Sequence, residues 1–487
     1  MLVIGLYCNI AMEILKAYKY KLKTNKKTKD LLNVQANNAR FLWNYFLAMN
    51  KRRSEQNRYT VYGSKTKHTK PIPELLGKYG EDNEFQFFYH KKPRYDISKM
   101  AKVGSKKGQT ILKPKYEAGI LFYPEMDKVE RFLRKTNEYS FLRDSHSQIV
   151  QQKLKDLERA MSDCFKGIRD FPRFKKKGQA VGFRYPQGVT FKNGGVYLPK
   201  ITGRKKTTGF HNSFKNVKFE GRKCKIKEDG VWIEAAVENV TITKDGEDFF
   251  MSVQIAYEKN IKSKIGTIVG IDLGTKDIIT TSDGHKLEAK NFLRKSEHKI
   301  AKLNRKLSVK QGAKKGEKQS NNYKKVNQML TKEYRKIRNR RKDFLHKLTT
   351  KLSKNHALLV CEDLNVKHMS KSAKGTIEQP GRKVKSKSGL NKSILDQGWY
   401  ELVRQLEYKT TWYGSTLKKV DPRFTSQKCN SCGFVSKANR KKKTFLCLKC
   451  SHKDDSDVNA AKNIRAAGLE ILASSSKKMT SPMTSSG

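Results

Sequence analysis

The sequence predicts an α+β protein of several domains. Three observations carry that expectation. The chain has 487 residues, more than one hydrophobic core supports. Short strand-like segments separated by glycine turns fill the stretch from about 182 to 258, which suggests a small β-barrel. The C-terminal half differs in kind: strands, long amphipathic helices and two closely spaced cysteine pairs.

Charge narrows the partners. Lys and Arg number 105 against 46 Asp and Glu, a net +59, and the pI is about 10.0. With 23 Phe, 20 Tyr and 4 Trp the chain can build cores, so a fully disordered polycation is excluded. An excess this large repels itself unless a polyanion lies along it, and nucleic acid is the expected partner. A membrane is not expected. No run approaches the roughly 20 apolar residues of a span, and no basic amphipathic anchor dominates. Of eight cysteines, Cys8, Cys164, Cys224 and Cys361 are scattered and four cluster near the C-terminus, which is no disulfide framework and fits a reducing cytoplasm. Residues 1–11 lack a basic n-region and a clean cleavage site. Met12 is the expected start and 1–11 an extension.

Taken in order, Glu13 to Leu22 alternates like a half-buried strand. Lys26 to Arg53 has helical spacing, and its FLWNYFL core reads as packing rather than base stacking. Residues 54–140 are basic and irregular. Ser147 to Phe165 is an amphipathic helix with Val150, Leu154, Leu157, Met161 and Phe165 along one stripe. The loop PRFKKKG follows, and Arg173, Lys175, Lys176 and Lys177 are expected to meet phosphates there. GFRY, VTFKNGGVYLPK, VKFEG, GVWIEAAVENV and FFMSVQIAYE are the strands of the expected barrel. GTIVGIDLGTKDIITTSDGHKL then reads as two strands around a tight turn. Two helical stripes follow, one through Leu293, Ile300, Leu303 and Leu307, the other from Tyr323 to Leu352; their opposite faces are basic enough to face nucleic acid. HALLVCEDL at 356–364 is a buried strand, 369–392 a basic loop, 396–413 a helix, 457–472 a final helix and 473–487 a disordered tail.

Two constellations carry chemistry. Cys429 and Cys432, with Cys447 and Cys450, form two CxxC pairs that can complete a closed four-sulfur shell for structural Zn²⁺; disulfides or redox thiols are the alternatives. In a chain so short of acids, Asp272 lies in a strand, Glu362 ends one and Asp457 opens the last helix. Such carboxylates are costly to bury unless paired or metal-bound, and three together can hold two Mg²⁺ for phosphodiester hydrolysis. Taken singly, Asp272 could serve a turn, Asp457 could be an N-cap and Glu362 an ion-pair partner. Asp277, Asp363, Asp454 and Asp455 compete, with Asp363 on the opposite strand face and the last two expected to face solvent.

The blocks IVGIDLGTKD, VCEDLNVK, DPRFTSQKCNSCGF and DSDVNAAKNI resemble those of TnpB proteins, the insertion-sequence nucleases related to type V CRISPR effectors. AYKYKL…ARFLWNYFL and SQIVQQKLKDLERAMSDCFKG…PRFKKK…YLPK resemble the family too. Two departures stand out: Ser456 where the family usually has Arg, and a longer 54–140 segment. The resemblance implies a β-barrel wedge at 12–24 and 170–263, with a helical recognition lobe inserted at 25–169. It implies an RNase H-like RuvC domain at 264–425 and 454–472, interrupted by a zinc ribbon at 426–453. It matches Asp272, Glu362 and Asp457 to the catalytic positions. The function it implies is RNA-guided, Mg²⁺-dependent cleavage of double-stranded DNA, with a guide RNA as partner. The protein would be a monomer in a prokaryotic cytoplasm, on the nucleoid when bound to DNA. A miniature type V CRISPR effector, a transposase or recombinase, and a non-catalytic zinc-ribbon nucleic-acid binder are the alternatives.

Overall fold

A computed structural model describes residues 9–62, 95–96, 113–114, 121–176, 182–203, 206–211, 214–311 and 319–479. It divides into two compact units, one of Leu15–Tyr257 and one of Glu258–Gly487 together with the N-terminal residues to Ile14.

The first unit joins a helical segment to a barrel-like sheet. Strand β1 (Asn9–Lys23) leads into α1 (Lys26–Tyr62), which runs past the expected end at Arg53. A short pair, β2 (Tyr95–Asp96) and β3 (Lys113–Pro114), lies within the expected irregular region; the rest of 63–120 lies outside the described residues. Helices α2 (Tyr123–Leu133) and α3 (Ser147–Phe165) follow. Leu42, Phe46 and Leu47 of α1 pack with Met126 and Val129 of α2 and Val150, Leu154, Leu157 and Met161 of α3. FLWNYFL is therefore core, as its spacing predicts. Phe165, placed on the buried stripe by periodicity, is exposed at the last residue of α3.

The sheet takes β1 and the strands β4 (Phe183–Tyr185), β5 (Thr190–Lys192), β6 (Gly195–Tyr197), β7 (Thr208–His211), β8 (Val217–Glu220), β9 (Lys223–Glu228), β10 (Val231–Asp245) and β11 (Asp248–Lys262). Its order is β5-β6-β7-β1-β11-β10-β9-β8, with β4 also on β10. Phe191 of β5 and Gly221 after β8 exchange two backbone hydrogen bonds, 2.7 and 2.8 Å, so the two ends of this order meet and the sheet is nearly closed. Closure removes exposed edges. Along β11, Phe249, Met251, Val253 and Ile255 alternate inward, the period of a strand with one face buried. Tyr20, Phe210 and Phe219 meet edge to face, and Phe191 stacks on Phe219 at 4.3 Å.

The second unit is built on a five-stranded sheet. Its strands are β12 (Ile268–Asp272), β13 (Asp277–Thr281), β14 (Lys286–Glu288), β15 (Leu358–Glu362) and β16 (Thr416–Val420), in the order β14-β13-β12-β15-β16. The first three are antiparallel; β15 and β16 run parallel to β12. Helices α4 (Phe292–Val309) and α5 (Asn321–Asn355) stand between β14 and β15. After β15 come α6 (Val366–Met369), α7 (Val384–Gln397) and α8 (Trp399–Trp412), so the expected loop 369–392 is helical from Val384. Gly398, at φ +69°, separates α7 from α8. The three-stranded β17 (Arg440–Lys441), β18 (Thr444–Leu446) and β19 (Lys453–Asp455) precede α9 (Ser456–Met479). That helix extends beyond the expected end at 472, so the start of the expected disordered tail is helical through Met479; 480–487 lie outside the described residues.

Every residue of β15 is buried, because both sheet faces are covered. Leu359 and Cys361 join Val269, Ile271, Leu345 and Leu402 on one face; Leu358 and Val360 join Ile464 of α9 on the other. Among the described residues no helix is long and apolar enough to cross a membrane.

Candidate active site and metal centre

Alternation along the two central strands decides where the acids point. Asp272 shares parity with Ile268 and Gly270, Glu362 with Leu358 and Val360, and these pack on α9. The parallel register of β12 and β15 runs as far as Ile271 with Cys361, so Asp272 and Glu362 are the next neighbours on the α9 side. Asp457 lies in the first turn of α9, on the line of Ala461, Ile464 and Gly468. Two glycines let that line approach the sheet. A Cβ on Gly270 would lie 2.7 Å from the Arg465 nitrogen and closer still to the Ala461 carbonyl oxygen; one on Gly468 would lie 2.5 Å from a Val360 methyl. The three acids singled out in the sequence thus share one end of one face.

Their charges are felt mutually. Burial, then the negative charges of Glu362 and Asp457, push Asp272 up from 3.8 to about 7, against the opposing pull of Arg440. Burial also raises Glu362, although the Thr425 hydroxyl donates to its Oε1 at 2.6 Å. Arg440 donates to Asp457 at 2.9 Å. Asp457 is not an N-cap. The cap is Asp455, whose Oδ1 accepts the backbone N–H groups of Asp457 (3.0 Å) and Val458 (3.2 Å). Asp455 also pairs with Lys286 at 2.7 Å, and Asp454 with Lys462 at 2.8 Å. Both were expected to face solvent; capping and ion pairing leave them half-buried. Asp277 pairs with Lys443 at 3.5 Å, and Asp363 is exposed. Ser456 is buried, its hydroxyl on the Lys442 carbonyl.

The cysteines converge more tightly. Among the described residues, Cys429, Cys432, Cys447 and Cys450 are the one group of three or more such side chains with ligand atoms all within 4.8 Å; the three carboxylates are more loosely gathered. Sulfur separations are 3.7 Å for Cys429–Cys450 and 3.6 Å for Cys432–Cys447. A tetrahedron with Zn–S of about 2.3 Å has edges of about 3.8 Å, and a disulfide needs about 2.05 Å, so the donor set fits Zn²⁺ and not disulfides. Two matching turns build it. Cys429 N–H donates to Phe434 and its carbonyl accepts from Gly433; Cys447 does the same with His452 and Ser451. Gly433 (φ +76°) and Ser451 (φ +56°) take the left-handed conformation at equivalent places.

Helix α9 ties this ribbon to the acids. Asn459 donates to the Lys428 carbonyl and accepts from the Asn430 N–H, and Asn463 donates to the carbonyls of Thr425 and Lys428. The contacts that fix Thr425 and Arg440 beside Glu362 and Asp457 therefore come from the ribbon and its approach. Sequence reading missed Arg440, Thr425 and the two asparagines. Their signal is tertiary, except that Asn459 and Asn463 stand one turn apart behind Asp457.

In the other unit, Arg173 and Lys176 are exposed. The Lys175 ammonium lies 4.4 Å from the Trp43 ring centroid. Lys177 lies outside the described residues.

Three family models match the chain: "Cas12f1-like, TNB domain" over 399–464, "Probable transposase" over 252–373 and "Helix-turn-helix domain" over 12–58. In the structure the last range forms strand β1 and the single helix α1. A protein of Escherichia coli K12 named "Putative RNA-guided DNA endonuclease InsQ" is 41% identical over 74% of this chain and 84% of its own length. A Streptomyces pristinaespiralis protein named "Putative RNA-guided DNA endonuclease" is 32% identical over 70% of this chain and 76% of its own. The CRISPR-associated endodeoxyribonuclease Cas12f1 of Sulfoacidibacillus thermotolerans is 34% identical over 17% of this chain and 20% of its own. The cryo-EM Cas12f1–sgRNA–target DNA complex aligns over 93% of this chain and 99% of that one, at 13% identity and a TM-score of 0.28, too low to bear on the fold. On the identity and coverage shared with the first of these relatives, the chain belongs to the TnpB family, to which the Cas12f proteins are related.

Proposed function

We propose that this protein is an RNA-guided DNA endonuclease of the TnpB type, encoded by an insertion sequence, with its catalytic carboxylates at Asp272, Glu362 and Asp457. The observation that carries the reading is the convergence of these acids, two from the sheet and one from α9, where burial first and then the charges of Glu362 and Asp457 lift Asp272 to about 7. A sheet of three antiparallel strands continued by two parallel ones, with acids at the ends of the central pair, supports an RNase H-like core of the RuvC kind. The four-cysteine ribbon between β16 and α9 supports the split of that core by a zinc ribbon. The barrel and helices α1 to α3 then take the wedge and recognition roles.

Hard oxygen donors that repel one another suit Mg²⁺. Asp272, Glu362 and Asp457 would hold it, and when bound it supplies an activated water and charge neutralisation at the phosphate. The remaining work falls to the chain's own groups. Thr425 holds the Glu362 carboxylate in place. Arg440 balances Asp457 and is placed to donate to a phosphate oxygen entering beside it. The basic surface gathers guide RNA and target DNA, and base pairing reads the sequence.

The pKa of Asp272 gives a prediction with a definite sign. Its folded value, about 7, exceeds the unfolded 3.8, so the metal-free fold keeps a proton that the unfolded chain releases. This group's contribution to stability is full below about 3.8 and declines as pH rises to about 7. Cation binding must expel that proton. Mg²⁺ affinity, read by calorimetry, should rise up to about tenfold per pH unit below pH 7 and level above it. Asp272→Asn should flatten the rise; a rise that survives the substitution would assign it to another group.

Zinc is tested by composition and by unfolding. One Zn²⁺ per chain is expected by elemental analysis. Cys429→Ser, or a chelator, should lower stability by several kcal/mol and cut cleavage, because the ribbon carries Arg440. Full metal content in Cys429→Ser would contradict the four-sulfur site.

The reading as a whole is tested by sequencing the RNA that co-purifies with the protein. A defined RNA species with one variable end is expected. Random fragments of cellular RNA would count against guidance.

A further inference from the structure

We propose that Phe165–Lys176, the segment leaving α3, is a stacking platform for unpaired bases of RNA; the choice of RNA rests on the guide-RNA reading above. The segment has no regular structure after α3, yet its backbone is held at both ends. At the first, Gly167 (φ +70°) closes the helix, its N–H on the Cys164 carbonyl and the Ile168 N–H on the Asp163 carbonyl, both 2.9 Å. This closure usually tucks the next apolar side chain against the helix, but Ile168 is 66% exposed. At the second, the Trp43 indole N–H donates to the Arg173 carbonyl at 3.0 Å. The Asn44 side chain both accepts the Lys175 N–H, at 2.8 Å, and donates to the Lys175 carbonyl, at 2.9 Å.

Between and beside these anchors Phe171 is 39% exposed and Phe174 48%. Aromatic rings held out on a fixed backbone lose no rotamer-rich freedom when something lies on them. The charge around them names the occupant. Lys166, Arg169, Arg173, Lys175 and Lys176 stand against Asp170 alone within the segment. Arg169 turns back to Asp163 at 3.4 Å and Lys175 packs on Trp43, while Lys166, Arg173 and Lys176 are exposed beside Phe171 and Phe174. Aromatics interleaved with cations suit a single strand, whose bases offer faces and whose phosphates offer charge. The target DNA strand is paired in the heteroduplex; the RNA outside it is folded with splayed bases, and the displaced DNA strand, also unpaired, is told from it by the competition below.

The test maps contact directly. RNA-free full-length protein is irradiated with single-stranded RNA carrying 5-iodouridine, and adducts are located by mass spectrometry. Adducts at Phe171 or Phe174 are expected, with unlabelled RNA competing at least about tenfold better than DNA of the same sequence. The variant Phe171→Leu/Phe174→Leu keeps the apolar bulk and every charge. It should bind this RNA about tenfold more weakly, with unchanged salt dependence and unchanged Tm. Adducts confined to other peptides, equal competition by DNA, or wild-type binding by the leucine variant would each overturn the proposal. So would a shift from dimer to monomer in that variant, which would give the surface to a second copy. Cleavage is not among the readouts, so this inference and the nuclease reading can fail separately.

Discussion

Asp272→Ala is expected to reduce DNA cleavage by about a thousandfold or more, while guide RNA and target binding persist. The loss follows from the carboxylate's place on the face shared with Glu362 and Asp457. Removing a group that holds the reacting cation forfeits several kcal/mol of transition-state stabilisation, at about 1.4 kcal/mol per tenfold. Binding should persist because the substitution removes none of the 105 Lys and Arg of the chain. The same substitution should make the metal-free protein more stable above pH 7. Burial and two like charges oppose ionised Asp272, and alanine removes that opposition. A structural aspartate would behave in the opposite way, losing stability and keeping activity. Thermal denaturation at pH 8, beside a cleavage assay, separates the two, and retained cleavage would remove Asp272 from the mechanism.

Gly270→Ala is expected to be strongly destabilising, because the added methyl group would separate α9 from β12. The added Cβ meets backbone on both sides of one helical turn, at the Ala461 carbonyl and the Arg465 nitrogen. Backbone cannot rotate away as a side chain can, so α9 must shift off β12. About 3 kcal/mol of lost stability follows from overpacking of this kind. Cleavage should fall with it, since the helix carries Asp457 and, through Asn459 and Asn463, the ribbon. Gly468→Ala is the internal comparison. Its Cβ meets only the Val360 side chain, at 2.5 and 2.6 Å, and about 1 kcal/mol is expected. Urea denaturation ranks the two. Equal or reversed costs would mean that α9 does not rest on β12 as closely as described.

The acids and cysteines were legible because each rests on local pattern. Asp272 and Glu362 end apolar strands, Asp457 follows a ribbon, and CxxC spacing is self-contained. Even the shared face follows from counting by twos along β12 and β15. What stayed hidden depends on distant partners. Arg440 is one of many cations in the sequence, and only the fold of the ribbon sets it on Asp457. Strand β9 reads K-C-K-I-K-E, in which Cys224 and Ile226 alone mark the buried face among solvated charges. Strand β7 is Thr-Gly-Phe-His, too short to show alternation until paired with β1 and β6. Helix α7 begins in a Lys-, Ser- and Gly-rich stretch whose propensities favour loop; burial of Ile394, Asp396 and Gln397 near its C-terminal end holds it. Asp396 is tied there by Arg341 and by the Leu293 N–H. Phe165 shows the converse limit: periodicity places it on a stripe that has already ended.

If a guide strand directs cleavage by the acidic site, the product must depend on both the guide sequence and Asp272. The most direct measurement uses one plasmid and two RNAs identical except in the guide segment, each assembled with the protein and supplied with Mg²⁺. Only the RNA matching the plasmid should yield linear product, and Asp272→Ala should yield none. Equal cutting with either RNA, or cutting that survives Asp272→Ala, would contradict guided cleavage at this site.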